Sequence, residues 1–414
     1  MKLLIVAMAN SIHTARWISH IKDEGWGIHL FPVDFFTEVN PEIYGFGKKI
    51  KVHSPVILKS LIKKYKQKKK SEKDEYETDT YGLLKEYEQK RFVAKNVVRR
   101  LFPVNYLKEL YKIIKRVKPD IIHSMHIQEA AYLTMEVKKK MKGSFPIWIV
   151  SNWGSEIDLF RHFPDQKKKI KKVLTNCDYY SGECSREISI VRKLGFKGEV
   201  FAIMPNSGGI DFDYIKKFRS EGSVSARKLI MLKGYNNWAG RALVGLRALE
   251  RCADILDDYK IVIYCTDSLD IEIAARYFSY KTKIRTELFP LGISHEEILK
   301  LHGKARISIG LSITDAISTS VLEAMVMGSF PIQSKTSCAD KWFINGKSGI
   351  MVPPEDPEEV EKAIRIALSD DKLVNNAAEL NYKILFAKLE KNKIKAQIIK
   401  SYKDALIKFK KRGE

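Results

Sequence analysis

Short runs of β-branched and aliphatic residues recur along this chain, each followed by a stretch with helical periodicity, and that alternation constrains the fold more than any other feature. It predicts parallel sheet covered by helices on both faces. A first series reads as strands at 2–8, 120–124, 146–151, 178–182 and 199–203, with a helix at 12–22. The turn cluster at 206–211 then interrupts the pattern. A second series follows, with strands at 228–232, 260–265, 285–289, 306–311, 330–333 and 350–352 and helical stretches such as 241–254 between them. Residues 371–411 are helical by composition and periodicity.

A chain of 414 residues with 45% hydrophobic content can bury two cores. Single cores seldom grow beyond about 250 to 300 residues. We therefore read an α/β chain with one domain over residues 1–205, a second over 206–385, and a terminal helical piece over 386–414. The apolar stretch at 3–9 is too short for a secretory core and reads as a buried first strand. No other run approaches the roughly 20 apolar residues of a spanning helix. The five cysteines, Cys177, Cys184, Cys252, Cys265 and Cys338, show no Cys-x-x-Cys spacing. That pattern predicts neither a zinc site nor a disulfide framework, and a reducing, cytoplasmic setting.

Charge is strongly asymmetric, with 73 Lys and Arg against 50 Asp and Glu. The run at 59–70, which holds Lys59, Lys63 and Lys70, contains no acid, and a second basic run lies at 167–172. Such runs predict peripheral docking on an anionic membrane, the inner face of the cell membrane for a cytoplasmic protein, with a solvated Lys-rich surface as the alternative. No nucleic-acid partner is expected, because the basic runs lack aromatic interleaving and no DNA or RNA module is present.

The densest chemistry lies at 312–328, where a strand end, a polar loop and a helix start are fused. Ser318, Thr319 and Ser320 bring hydroxyls to the helix start, and the amides of Thr319, Ser320 and Val321 would face the loop unpaired. Those amides carry positive partial charge and suit an anion. Glu323, one turn on, could accept two hydrogen bonds from a ribose diol, so the segment suits a nucleoside diphosphate. The alternative is a capping box, Ser320-x-x-Glu323.

Asp315 and Glu323 have seven residues between them, and the segment resembles the acidic pair of glycosyltransferase family 4, a retaining group. Glu323-Ala324-Met325, the stretch from Met327 to Ile332, and Trp342, Gly346 and Gly349 are similar to the same family. The family usually has Glu at both acidic positions, followed by a glycine-bearing stretch; here Asp315 is followed by Ala316-Ile317-Ser318. The resemblance implies a GT-B fold, two Rossmann-like doubly wound domains facing across a cleft, with the chain end crossing back over the first domain. It also implies a nucleotide-diphosphate sugar donor, a saccharide or lipid-linked acceptor in surface polysaccharide synthesis, and Asp315 facing the donor sugar. No metal or other cofactor is expected, since Asp211-x-Asp213 precedes a helix where Asp is an ordinary cap.

Further candidates stand at predicted strand ends, beside which open α/β sheets bind ligands. Lys233 and Arg241 flank a Gly-containing turn and form a phosphate pair, as the family's Arg and Lys do in this loop. Ser11, His13 and Arg16 border the cleft on the acceptor side, with His13 and Arg16 on one helix face. His123 and His126 compete for the family's cleft histidine, His126 being favoured as the catalytic one, and His123 is otherwise an acceptor contact. Asn152 and Glu156 resemble the family's acceptor border, although Glu156 could equally satisfy a helix dipole. Two other classes stay open: a GT-B nucleotide-sugar epimerase, and a basic nucleic-acid-binding protein without transferase activity.

Overall fold

The structure, a computed structural model, describes residues 1–53, 104–336 and 338–411. The basic run at 59–70 lies outside the described residues. Two parallel sheets form the frame. The first orders β1 (Lys2–Ala7), β2 (Gly27–Pro32), β3 (Ile50–Val52), β4 (Ile121–Met125), β5 (Ile147–Ser151), β6 (Tyr179–Gly182) and β7 (Glu199–Ile203) as β3-β2-β1-β4-β5-β6-β7. The second orders β8 (Leu229–Lys233), β9 (Lys260–Thr266), β10 (Thr286–Pro290), β11 (Ala305–Gly310), β12 (Phe330–Ser334) and β13 (Ile350–Val352) as β10-β9-β8-β11-β12-β13. β2 and β3 have no counterpart in the sequence reading. Gly27, His29 and Pro32 dilute the β-branched signal of the first, and the second is only three residues long.

Each sheet reverses its winding once, between β1 and β4 and between β8 and β11. Leu3 pairs with Ile121 at the first reversal, and Ile309 with Leu232 at the second. A crevice opens beyond the carboxyl ends of the strands where the winding reverses. The loops that leave β1, β4, β8 and β11 therefore converge there, and they carry His13, His126, Lys233 and Asp315. Beyond the exposed Lys2, the central strands are buried on both faces and mostly apolar, as expected for parallel sheet between helix layers.

The helix Asp371–Leu389 ends at Glu390, whose backbone is extended, and a second helix runs over Lys391–Lys411. Ile210 donates to the Leu389 carbonyl at 2.7 Å and accepts from the Lys391 amide at 3.0 Å. The turn at 206–211 and the break at Glu390 are thereby stitched into one hinge. The last helix buries Ile394, Ile398 and Tyr402 with Leu3, Trp17 and Phe201 of the first domain. No helix among the described residues is long and apolar enough to cross a membrane.

Candidate active site

The helix Thr319–Met327 opens directly onto the crevice. Ser318 is its N-cap but makes no side-chain cap bond; its hydroxyl instead receives Lys233 Nζ at 3.3 Å and donates to Ser320 Oγ at 3.4 Å. Ser320 is the second residue of the helix and not its N-cap, so the Ser320-x-x-Glu323 capping box is not formed. Val321 corrects one expectation, since its amide donates to the Ser318 carbonyl at 3.0 Å, leaving those of Thr319 and Ser320 at the open end. A cation, two hydroxyls and a helix start thus share one spot, which suits a diphosphate.

Glu323 projects one turn further along and is already engaged. His295 Nε2 lies 2.7 Å from its Oε1, and Arg16 Nη2 of the first domain stands 3.8 Å away. Burial pushes this carboxyl up, but the His295 hydrogen bond and the cations outweigh it, and its pKa falls below the ordinary value. A cavity of about 320 Å³ opens beside the pair, lined among others by Arg16, Ser207, His295, Thr319 and Glu323. His295 escaped the sequence reading because nothing in its 28-residue separation from Glu323 announces contact.

On the first domain, Trp153 packs between two imidazoles, with ring centroids 5.5 Å from His13 and 5.6 Å from His126. Burial, then Arg16 and Lys233, lower His13 to about 4, so it is neutral near pH 7. His126 has φ 96, a left-handed backbone costly for a residue with a side chain. Its Nε2 lies 3.1 Å from Glu156 Oε1. Burial raises Glu156 to about 8 even though it accepts from the Trp153 and Ile127 amides. One proton shared between His126 and Glu156 suits both groups.

Asp315 occupies the contact between the domains. Its pKa is raised by burial against the opposing pull of Lys233. Gly154 has φ +99 and lies so close to the Asp315-Ala316 peptide that a Cβ would collide with the Ala316 nitrogen. Arg186 donates to the carbonyls of Asp315 and Thr336, both at 3.2 Å, and Thr314 donates to Asp158 at 3.2 Å. At the rim, Phe160 of the first domain meets Trp238 of the second, with centroids 5.5 Å apart.

Three further expectations are corrected. His123 is buried in the core, bonded to Tyr402 through Nδ1 and to Ser151 through Nε2, both at 2.6 Å, and cannot meet an acceptor. Asn152 is equally buried, donating to Glu187 at 2.6 Å and accepting from Tyr180, while its carbonyl holds Asn206 of the hinge. Arg241 donates from Nε to Glu355 at 2.9 Å and from Nη1 to the Trp238 and Gly240 carbonyls, so it braces its own loop. Cys184 and Cys338, 154 residues apart, are bridged, a single link that the cysteine spacing did not announce. The others stand as follows: Ser11 caps the first helix by accepting from the His13 amide at 3.1 Å, and Glu156 is buried against His126, so it does not itself border an acceptor. Asp211 caps the helix Phe212–Lys216 and pairs with Lys391 at 3.0 Å. Among the described residues, no cluster of three or more acidic, His or Cys side chains is placed to hold a metal ion.

Two family models match the chain: "Glycosyl transferases group 1" over residues 274–384 and "Glycosyl transferase 4-like" over residues 80–184. No curated protein matches it in a direct search. Solved structures share its fold over almost its full length. Sucrose-phosphate synthase of Thermosynechococcus elongatus is 13% identical with a TM-score of 0.67, covering 98% of both chains. HepE of Anabaena in complex with UDP and glucose is 12% identical with a TM-score of 0.67, covering 98% of this chain and 100% of that one. A glycosyltransferase from Rickettsia africae is 14% identical with a TM-score of 0.65, covering 98% of both. Two Rossmann-like domains with the crevice between them make this a GT-B fold. Over those two stretches the chain is similar to glycosyltransferases of the family 4 type.

Proposed function

We propose that this glycosyltransferase moves a sugar from a nucleoside-diphosphate donor, with retention of anomeric configuration, to a saccharide or lipid-linked acceptor of surface polysaccharide synthesis. One observation carries the reading: Lys233, Ser318 and the amides of Thr319 and Ser320 converge one turn ahead of Glu323. The diphosphate takes the helix start and Lys233, the ribose diol takes Glu323, and Asp315 faces the transferred sugar. The complex of HepE with UDP and glucose supports a donor of this class.

The bond from the anomeric carbon to the β-phosphate oxygen breaks while a bond to the acceptor oxygen forms on the same face. The acceptor proton passes to the departing β-phosphate oxygen. Charge grows on that diphosphate in the transition state, where a preorganised cation and helix amides lower the barrier most. No step requires a metal or other resident cofactor. Ser11, His13 and His126 border the acceptor side, Arg16 reaches across to Glu323, and Glu156 fixes the His126 ring. The test is a screen of nucleotide sugars for hydrolysis and transfer, with the product anomer read by NMR. An inverted anomer would overturn retention, and donor isomerisation without acceptor would favour an epimerase.

The same reading places the enzyme peripherally on the cytoplasmic face of an anionic membrane, supported by the +23 formal charge and the run at 59–70. Sedimentation with anionic and neutral vesicles at low and high salt tests it. Binding to neutral vesicles in high salt would sink the electrostatic version.

A further inference from the structure

We infer that Cys184 and Cys338 form a redox latch across the two domains, closing when oxidised and slowing the cycle of the enzyme. Cys184 lies on the first domain, at the start of the helix Ser185–Lys193, and Cys338 follows β12 on the second. Their Cα atoms are 6.7 Å apart, within the span a disulfide bridges. Cys177, Cys252 and Cys265 are thiols, so the chain is not otherwise built on disulfides.

The bridge lies on the seam that holds the reacting loop. The Cys338 amide donates to the Ala316 carbonyl, next to Asp315. Two residues beyond Cys184, Arg186 grips the carbonyls of Asp315 and Thr336. The covalent link therefore ties the Asp315 loop to the first domain, adding to the hydrogen bonds and the packing of Gly154 and Ile317 that join them among the described residues. Donor entry and product release in a cleft between domains require the walls to part, and such motions often limit turnover.

The chemistry balances as thiol–disulfide exchange with a small disulfide such as oxidised glutathione. The Cys184 thiolate attacks the small disulfide and expels one thiolate, which takes up a proton. The Cys338 thiolate then attacks the mixed disulfide and expels the second. The protein loses two protons and two electrons, and the small disulfide becomes two thiols. Both cysteines are nearly sealed from solvent, at 3% and 0% exposure, so exchange proceeds when the domains part.

The latch acts on the glycosyltransferase itself and rests on the proposed donor only for its activity readout. The full chain is treated with oxidised glutathione or with dithiothreitol, mapped by non-reducing peptide mass spectrometry, and assayed for nucleotide-sugar turnover. The expected result is a Cys184–Cys338 peptide in the oxidised sample alone and turnover at least about threefold slower there, restored by dithiothreitol. Cys184→Ser and Cys338→Ser, each alone, should hold the reduced rate under both treatments. A melting curve gives a readout without substrate: oxidation should raise the midpoint of the wild type and of neither variant. Absence of the linked peptide, an unchanged midpoint on oxidation, or equal turnover in both redox states would overturn the latch. A linked peptide and raised midpoint with no turnover of any nucleotide sugar would instead count against the donor assignment.

Discussion

Arg16 of the first domain and Glu323 of the second face each other across the cleft, Nη2 to Oε1 at 3.8 Å, and His295 takes the same carboxylate oxygen at 2.7 Å. The acid assigned to the ribose is thus held in place before any nucleotide arrives. Its arginine partner is long and partly exposed, and ion pairs of that kind contribute about 0 to 1 kcal/mol.

The two partners should therefore separate on substitution. Glu323→Gln removes a charged acceptor and should weaken UDP or GDP binding at least about tenfold, since hydrogen bonds to charged groups contribute about 1.5 to 3 kcal/mol. Arg16→Ala should change the same affinity by less than about threefold. Isothermal titration calorimetry reads both, and unchanged affinity in Glu323→Gln would remove the ribose assignment.

Lys233 and Arg241 should separate in the same way. Lys233→Met is expected to lower kcat about 100-fold, the scale of losing one preorganised donor to a charged transition state. Arg241→Met should cost less than about tenfold, because its guanidinium is held by Glu355 and two carbonyls. Steady-state kinetics with the same donor compares them, and equal losses would restore the pair read from the sequence.

Burial raises the Glu156 carboxyl from an ordinary 4.5 to about 8 in the folded protein. The stability it carries is complete below the unfolded value and is lost as the pH climbs through the folded one. Between pH 6 and pH 8 the melting midpoint of the wild type should fall about 2 to 4 °C more than that of Glu156→Gln. Parallel curves from differential scanning calorimetry would show that the group is ionised in the fold.

Tyr402 joins the last helix to the first domain by accepting from Trp17 Nε1 at 3.0 Å and meeting His123 Nδ1 at 2.6 Å. Tyr402→Phe strands both partners in the core and should cost about 1 to 3 kcal/mol of stability. Nucleotide affinity should stay at the wild-type value, since neither partner faces the cleft. Denaturant unfolding paired with calorimetry separates the two effects, and a large affinity loss would return His123 to the site.

Alternating strand and helix signals were enough to reach two parallel α/β sheets, because burial on both faces forces continuous apolar strands such as Leu3 to Ala7. The polar segment from Ser312 to Ser320 was legible for a local reason: a loop running into a helix start displays its chemistry in consecutive residues. β2 and β3 were not legible, being short or diluted by Gly, His and Pro. Contacts between distant segments left no local trace. Nothing in the neighbourhood of His123 tells that it ends under Tyr402, 279 residues later, while His126, three residues on, reaches the cleft. The sequence by itself determined the layering and the polar, open helix start, because these follow from periodicity and unpaired amides within one segment. Only the tertiary structure decided that His295 and Arg16 share Glu323, that Arg241 braces its loop, and that Cys184 meets Cys338. Those pairings depend on how the two domains face each other, which spacing along the chain does not encode.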